Sequence, residues 1–128
     1  MKSVKKVLCF VVLLGLVTAC HPQKKLISVN RETDTAELKT GQSCEIEFRT
    51  NASTGYWWQL VNGDEITVVD STGKRYENHA PKNMVGASSL LFWKFTAKEK
   101  GTQTLKFIYA RNKPEEAIKT RNVTVTVK

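Results

Sequence analysis

An all-β fold, an immunoglobulin-like antiparallel β-sandwich of seven to eight strands, is predicted by three features of the sequence. Short segments alternate apolar and polar side chains with a period of two, turn-forming residues fall between them, and no segment sustains a helical period. The length agrees: 128 residues, 41% hydrophobic and 25% charged, accommodate one ordinary domain and exclude a second. Two sheets packed face to face would bury the inner faces of so many short strands, with a small closed barrel as the alternative.

The strands follow in order. Leu26 to Val29 and Thr35 to Leu38 are short and weakly patterned. The next is clearer: Cys44, Ile46 and Phe48 share one face while Glu45, Glu47 and Arg49 share the other, as when one face meets a core and the other water. Cys44 is therefore expected in the core. Tyr56 to Val61 and Ile66 to Val69 add two weaker strands. Between Leu90 and Ala97 the side chains of Leu91, Trp93 and Phe95 line one face, and the polar Lys98-Glu99-Lys100-Gly101 reads as a hairpin turn into a strand beginning near Thr102. There Leu105, Phe107 and Tyr109 alternate with Lys106, Ile108 and Ala110, and in the last strand Val123, Val125 and Val127 alternate with Thr124 and Thr126.

Residues 1–19 read as a segment outside the fold. A basic start, Met1-Lys2-Ser3-Val4-Lys5-Lys6, precedes the apolar run Val7 to Val17, which is too short for a comfortable permanent span and has the anatomy of a secretory signal. Leu16-Val17-Thr18-Ala19-Cys20 places small residues before a cysteine and resembles the lipobox of bacterial lipoproteins. By that resemblance Cys20 is the lipidation site, its thiol carrying a diacylglycerol and its amine a third acyl chain such as palmitate. At about 0.8 kcal/mol per buried methylene, several chains hold a protein on a bilayer almost permanently. Residues 20–25 are then a lipidated tether, and 26–128 the folded domain. His21 stands where an inner-membrane retention signal has Asp, so the expected place is the outer membrane facing the periplasm, with surface display as the alternative.

Composition narrows the chemistry. The chain has 20 Lys+Arg and 12 Asp+Glu, a net +8. Removing the signal takes Lys2, Lys5, Lys6 and Cys9 but no acid, leaving 17 basic and 12 acidic groups and a net +5. The remaining positive charge is scattered, so no nucleic-acid partner is expected. Cys9, Cys20 and Cys44 contain no CxxC pair, and the two histidines, His21 and His79, are too few for a metal centre. With Cys20 acylated, Cys44 has no disulfide partner, so stability must come from the core. No cofactor or metal is expected, and a Cys44–His79 catalytic pair has nothing in the pattern to support it.

Function must therefore lie in the connections. The first, Asn51-Ala52-Ser53-Thr54-Gly55-Tyr56-Trp57-Trp58, is small and polar, then abruptly aromatic. Gly55 permits a positive φ, and Asn51, Ser53 and Thr54 can bond their own backbone, so little ordering entropy is lost on binding. The second, from about Tyr76 to Ser88, sets Met84 and Val85 beside the small Gly86 and Ala87, a run that lets a partner's backbone come close. The third, Arg111-Asn112-Lys113-Pro114-Glu115-Glu116, is by itself a charged surface loop.

Together these segments are specific. Residues 51–58 resemble the Asn-Pro-Thr-Thr-Gly-Tyr/Phe-x-Trp signature of the chagasin family, inhibitors of papain-like cysteine peptidases with an immunoglobulin-like fold. The spacing is similar too, with Val85-Gly86-Ala87 about thirty residues later, then Gly101-Thr102, then Tyr109-Ala110-Arg111. Ala52 and Ser53 replace the signature's Pro and first Thr. After Arg111 the chain reads Asn112-Lys113 where the family has Pro and an aromatic, with Pro114 displaced by two.

The resemblance implies no catalysis of its own. It implies a monomer whose three loops form a wedge in a papain-like peptidase's cleft: Asn51, Ala52, Ser53, Thr54, Gly55 and Tyr56 over the catalytic Cys–His pair, Met84, Val85, Gly86 and Ala87 on one wall, and Arg111, Asn112, Lys113 and Pro114 on the other. The third loop, lacking its aromatic, is expected to contribute less. The rival from another class is an envelope adhesion or assembly module binding a protein or glycan.

Overall fold

The computed structural model describes residues 25–78 and 88–128. Eight strands run through them: β1 (Ile27–Val29), β2 (Thr35–Leu38), β3 (Ser43–Thr50), β4 (Trp57–Leu60), β5 (Val69–Glu77), β6 (Ser89–Ala97), β7 (Gly101–Ala110) and β8 (Lys119–Val127). They form two four-stranded sheets, ordered β1-β3-β6-β5 and β2-β8-β7-β4. Their inner faces meet in a core whose largest fully buried side chains include Phe48, Phe95, Phe107, Leu38, Ile46 and Leu105. Each contributes roughly 1.5–3 kcal/mol by leaving water. The alternation read from the sequence holds here, with Val123, Val125 and Val127 buried and Thr124 and Thr126 half-buried.

The sheets are mixed, which corrects the wholly antiparallel expectation. β1 pairs with β3, and β2 with β8, in parallel, while every other pairing is antiparallel. The cause is the chain's path. Successive strands reverse direction while several links cross between sheets, so strands an even number apart, such as β1 and β3 or β2 and β8, run the same way.

The same rule sorts the connections. Those leaving β1, β3, β5 and β7 open at one pole, and those leaving β2, β4 and β6 open at the other. The second pole also holds both ends of the described chain: Gln42 Nε2 donates to the Lys25 carbonyl at 2.8 Å, and the Lys128 amide donates to Leu38 at 2.8 Å.

Two local expectations are also corrected. Lys98 to Gly101 is a crossing between sheets, because both edges of β6 are already taken by β3 and β5 and none remains for β7. The amides of Lys98 and Glu99 both donate to the Val68 carbonyl, at 2.8 and 3.3 Å. Gly101 passes so close that a Cβ on it would lie 2.9 Å from Val68 Cγ1. The strand expected at Ile66–Val69 instead spans Val69–Glu77, and the link after it is correspondingly shorter at its start. Residues 70–76 are all exposed, so this edge strand has no apolar alternation to read. Its irregularity between Ser71 and Gly73 and its charges, Asp70, Lys74, Arg75 and Glu77, discourage edge-to-edge pairing.

Cys44 lies on β3 in the core, fully buried. Burial pushes its thiol up to about 11, with Glu45 adding to the rise and a backbone hydrogen bond from Phe95 opposing it. The thiol is therefore protonated at neutral pH and shielded from substrate, the reverse of a reactive cysteine.

Candidate functional site

The first loop is a single 3₁₀ turn, Ala52–Thr54, between β3 and β4. Its shape is written in its own side chains. Asn51 caps the turn: its Oδ1 accepts from the Ser53 amide at 3.2 Å and from Ser53 Oγ at 2.6 Å. Thr54 Oγ1 donates to the Asn51 carbonyl at 2.7 Å. Gly55 closes the turn at φ +78°, a left-handed conformation that a Cβ disfavours. Ala52, Ser53 and Thr54 are left exposed at the tip.

Beneath the tip an unbroken file of rings ties the loop to the core. Phe107 meets Phe48 with centroids 4.8 Å apart, Phe48 meets Trp58 at 4.8 Å, Trp58 meets Tyr109 at 5.1 Å, and Tyr109 meets Tyr56 at 5.6 Å. Two of these rings also use their polar ends. Tyr109 Oη accepts from the Asn51 amide at 2.9 Å, and Trp58 Nε1 donates to the Arg49 carbonyl at 2.9 Å. Buried aromatic rings with satisfied polar tips fix a position at small entropic cost.

The third loop joins β7 to β8 beside the first, since the ladder places Trp57 opposite Ala110. It contains its own 3₁₀ turn, Pro114–Glu116, but no side chain caps it, and 111–116 are exposed throughout. Its best support is borrowed. Trp57 Nε1 donates to the Arg111 carbonyl at 2.9 Å, and Gln59 Nε2 does so at 3.2 Å. Arg111 in turn points back at the first loop: its Nε donates to the Thr54 carbonyl at 3.3 Å, and its guanidinium lies 4.6 Å from the Tyr56 ring centroid. Cation–ring attraction and a charge-assisted hydrogen bond thus join the two loops.

The second loop's Met84, Val85, Gly86 and Ala87 lie outside the described residues, as does Cys20. Its stems are described. β6 starts at Ser89, paired with Thr50 at the end of β3, and β5 ends at Glu77, paired with Leu90. The second loop therefore leaves from the pole that carries the other two.

Asn51 to Tyr56 and Arg111 to Pro114 are thus brought together at one pole. Trp57 and Trp58, the aromatic end of the first connection, shape that pole too, as do Tyr109 and Gln59, which reading the loops alone passes over. The signal for Tyr109 was present: an inward-facing aromatic with a polar tip at the last turn of a period-two strand. Among the described residues no group of His, Cys, Asp or Glu is placed to hold a metal, and Cys44 is sealed in the core.

Such a molecule is a β-sandwich binding protein that presents a stiff, loop-built surface at one end. The family model "Chagasin family peptidase inhibitor I42" matches residues 37–127, and the chain belongs to this family. It is accordingly a peptidase inhibitor by class and not an enzyme, which favours the inhibitor reading over the adhesion or assembly module. Amoebiasin-2 of Entamoeba histolytica is 24% identical over 121 residues, which cover 93% of this chain and 98% of that protein. The crystal structure of the cysteine protease inhibitor EhICP2 from Entamoeba histolytica superposes with a TM-score of 0.68 at 24% identity, covering 84% of this chain and 100% of the other. The solution structure of amebosin gives 0.64 at 20% identity, covering 81% and 99%. These likenesses carry the sandwich fold.

Proposed function

We propose that this chain is a reversible, monomeric inhibitor of papain-like cysteine peptidases that fills the active-site cleft with the loops of one pole. The observation that carries the proposal is the preorganised first loop, capped by Asn51 and rooted in the aromatic file. A surface already in its bound shape loses little entropy on entering a preformed cleft, so tight binding needs no covalent step. Thr54 and Ser53 at the tip face the catalytic Cys–His pair. Arg111 to Pro114 flank one wall, and Met84 to Ala87 the other. Titration of a form beginning at His21 against papain, read with a fluorogenic peptide, tests this. Stoichiometric, reversible loss of activity is expected. No inhibition of papain or any papain-like peptidase at micromolar concentration would refute it.

The proposal extends to location. Residues 1–19 are a lipoprotein signal, Cys20 is acylated, and the protein sits on the outer membrane facing the periplasm. Two things support this: the lipobox-like Leu16 to Cys20, and the entry of the chain at Lys25 on the pole opposite the loops, which would leave the inhibitory end pointing away from the bilayer. Mass spectrometry of the mature N-terminus should find a triacylated Cys20. An unmodified N-terminus elsewhere would rule the anchor out, and immunolabelling of intact cells reports the leaflet.

A further inference from the structure

Trp57 is a large apolar side chain left 52% exposed at the edge of the candidate site. It differs in this from the other two tryptophans, Trp58 at 7% and Trp93 at 5%, which belong to the core. It sits on β4, an edge strand, immediately after Tyr56 and directly across the ladder from Ala110, where the third loop begins. Ala110 is fully buried. The indole N–H is already spent on the Arg111 carbonyl at 2.9 Å, so the ring is held in one orientation and asks no acceptor of a partner. What remains outward is apolar ring surface.

We infer that Trp57 is an aromatic anchor of the peptidase interface, docking its ring against an apolar wall of the substrate cleft beside the third loop. This rests on the proposed inhibitory role of the loop pole and adds a contact that the three loops do not include. Continuity is the first support, because Trp57 lies between the first loop and the third and is bonded to the third. Composition is the second. Tryptophan is enriched among residues that dominate binding energy, and here its rotamer is already fixed by the Arg111 carbonyl, so little freedom is lost on docking. The third is the pattern of exposed large apolar side chains. Among the described residues Tyr76 and Ile118, like Trp57, flank the loop pole at the stems of the second and third loops, while Leu26 and Val61 lie toward the other pole. The third loop itself, 111–114, offers only Arg, Asn, Lys and Pro. The exposed ring beside that loop is Trp57 on the neighbouring strand.

The test is inhibition of papain by the full chain in detergent, comparing wild type, Trp57→Ala and Trp57→Phe. Trp57→Ala should raise the inhibition constant about 30-fold or more, the scale of a hot-spot residue. Trp57→Phe, which keeps a ring but loses the N–H, should stay within about fivefold. In protein labelled with 5-fluorotryptophan, the ¹⁹F resonance of Trp57 should shift on adding inactivated papain while that of buried Trp93 does not. If wild type fails to inhibit, the inhibitory function itself is wrong. If wild type inhibits but Trp57→Ala matches it, the anchor is wrong. If Trp57→Phe is as weak as Trp57→Ala and the resonance stays still, the residue only positions Arg111, and the anchor is equally overturned.

Discussion

The first and third loops share a pole, a 3₁₀ turn and a hydrogen bond between them, yet they are held in opposite ways. The first is self-sufficient: Asn51, Ser53, Thr54 and Gly55 set its shape locally, and four aromatic contacts root it in the core. The third has no side-chain cap, is exposed along 111–116 and has one long internal side-chain bond, from the Asn112 amide to Glu116 Oε2 at 3.4 Å, so its position depends more on Trp57, Gln59 and the return of Arg111 to the first loop. One loop is stiff because of what it contains, the other because of what it touches. Under the proposed cleft-filling role, the first loop supplies a tip shaped before binding and the third a flank positioned by its neighbours.

The contrast can be broken at its root. Trp58→Ala removes a buried ring from the middle of the aromatic file and should cost about 3–5 kcal/mol in urea unfolding, with inhibition lost alongside. A loss under about 1 kcal/mol would mean that the file does not hold the first loop. Thr54→Arg attacks the exposed tip instead. Inhibition should weaken about 30-fold or more while stability falls by only about 1 kcal/mol, the scale of the lost Thr54 Oγ1 hydrogen bond. An equal fall in stability would make the tip a structural element.

Gly55→Ala asks whether the self-made shape needs its left-handed residue. At φ +78° a Cβ should cost about 1–2 kcal/mol, although its nearest neighbour, Arg111 Nε, would stand at an ordinary 4.0 Å. An unchanged melting temperature would place the cost elsewhere. The smallest effect is expected from Lys113→Trp on the borrowed loop, a tightening of a few-fold, about 1 kcal/mol or less, with no change in stability. No tightening would show that this side of the wedge is already filled or stands clear of the peptidase.

Much of this was legible in advance. Period-two alternation and the turn residues located seven of the eight strands, β8 only in its second half, and put Cys44 in the core. The small polar run 51–55 announced a rigid turn because Asn, Ser, Thr and Gly each have one short-range way to fix a backbone. β5 escaped because a wholly exposed edge strand has no buried face to impose a pattern. The Lys98 to Gly101 crossing was taken for a hairpin because alternation reports which face a residue occupies and not which strand lies beside it.

The sequence by itself determined the class of fold, the apolar faces, the chemistry of the first turn and the family signature, since each is set by residues within a few positions of one another. Tertiary structure decided which sheet each strand joins, that alternate connections gather at one pole, that Tyr109 holds the Asn51 amide, that Arg111 turns back to the first loop and that Trp57 stays out. The contacts of Tyr109 with Asn51, of Arg111 with Thr54 and of Trp57 with Arg111 join residues 58, 57 and 54 positions apart, and only the pairing of β4 with β7 and the packing of the two sheets bring such distant groups within hydrogen-bonding reach.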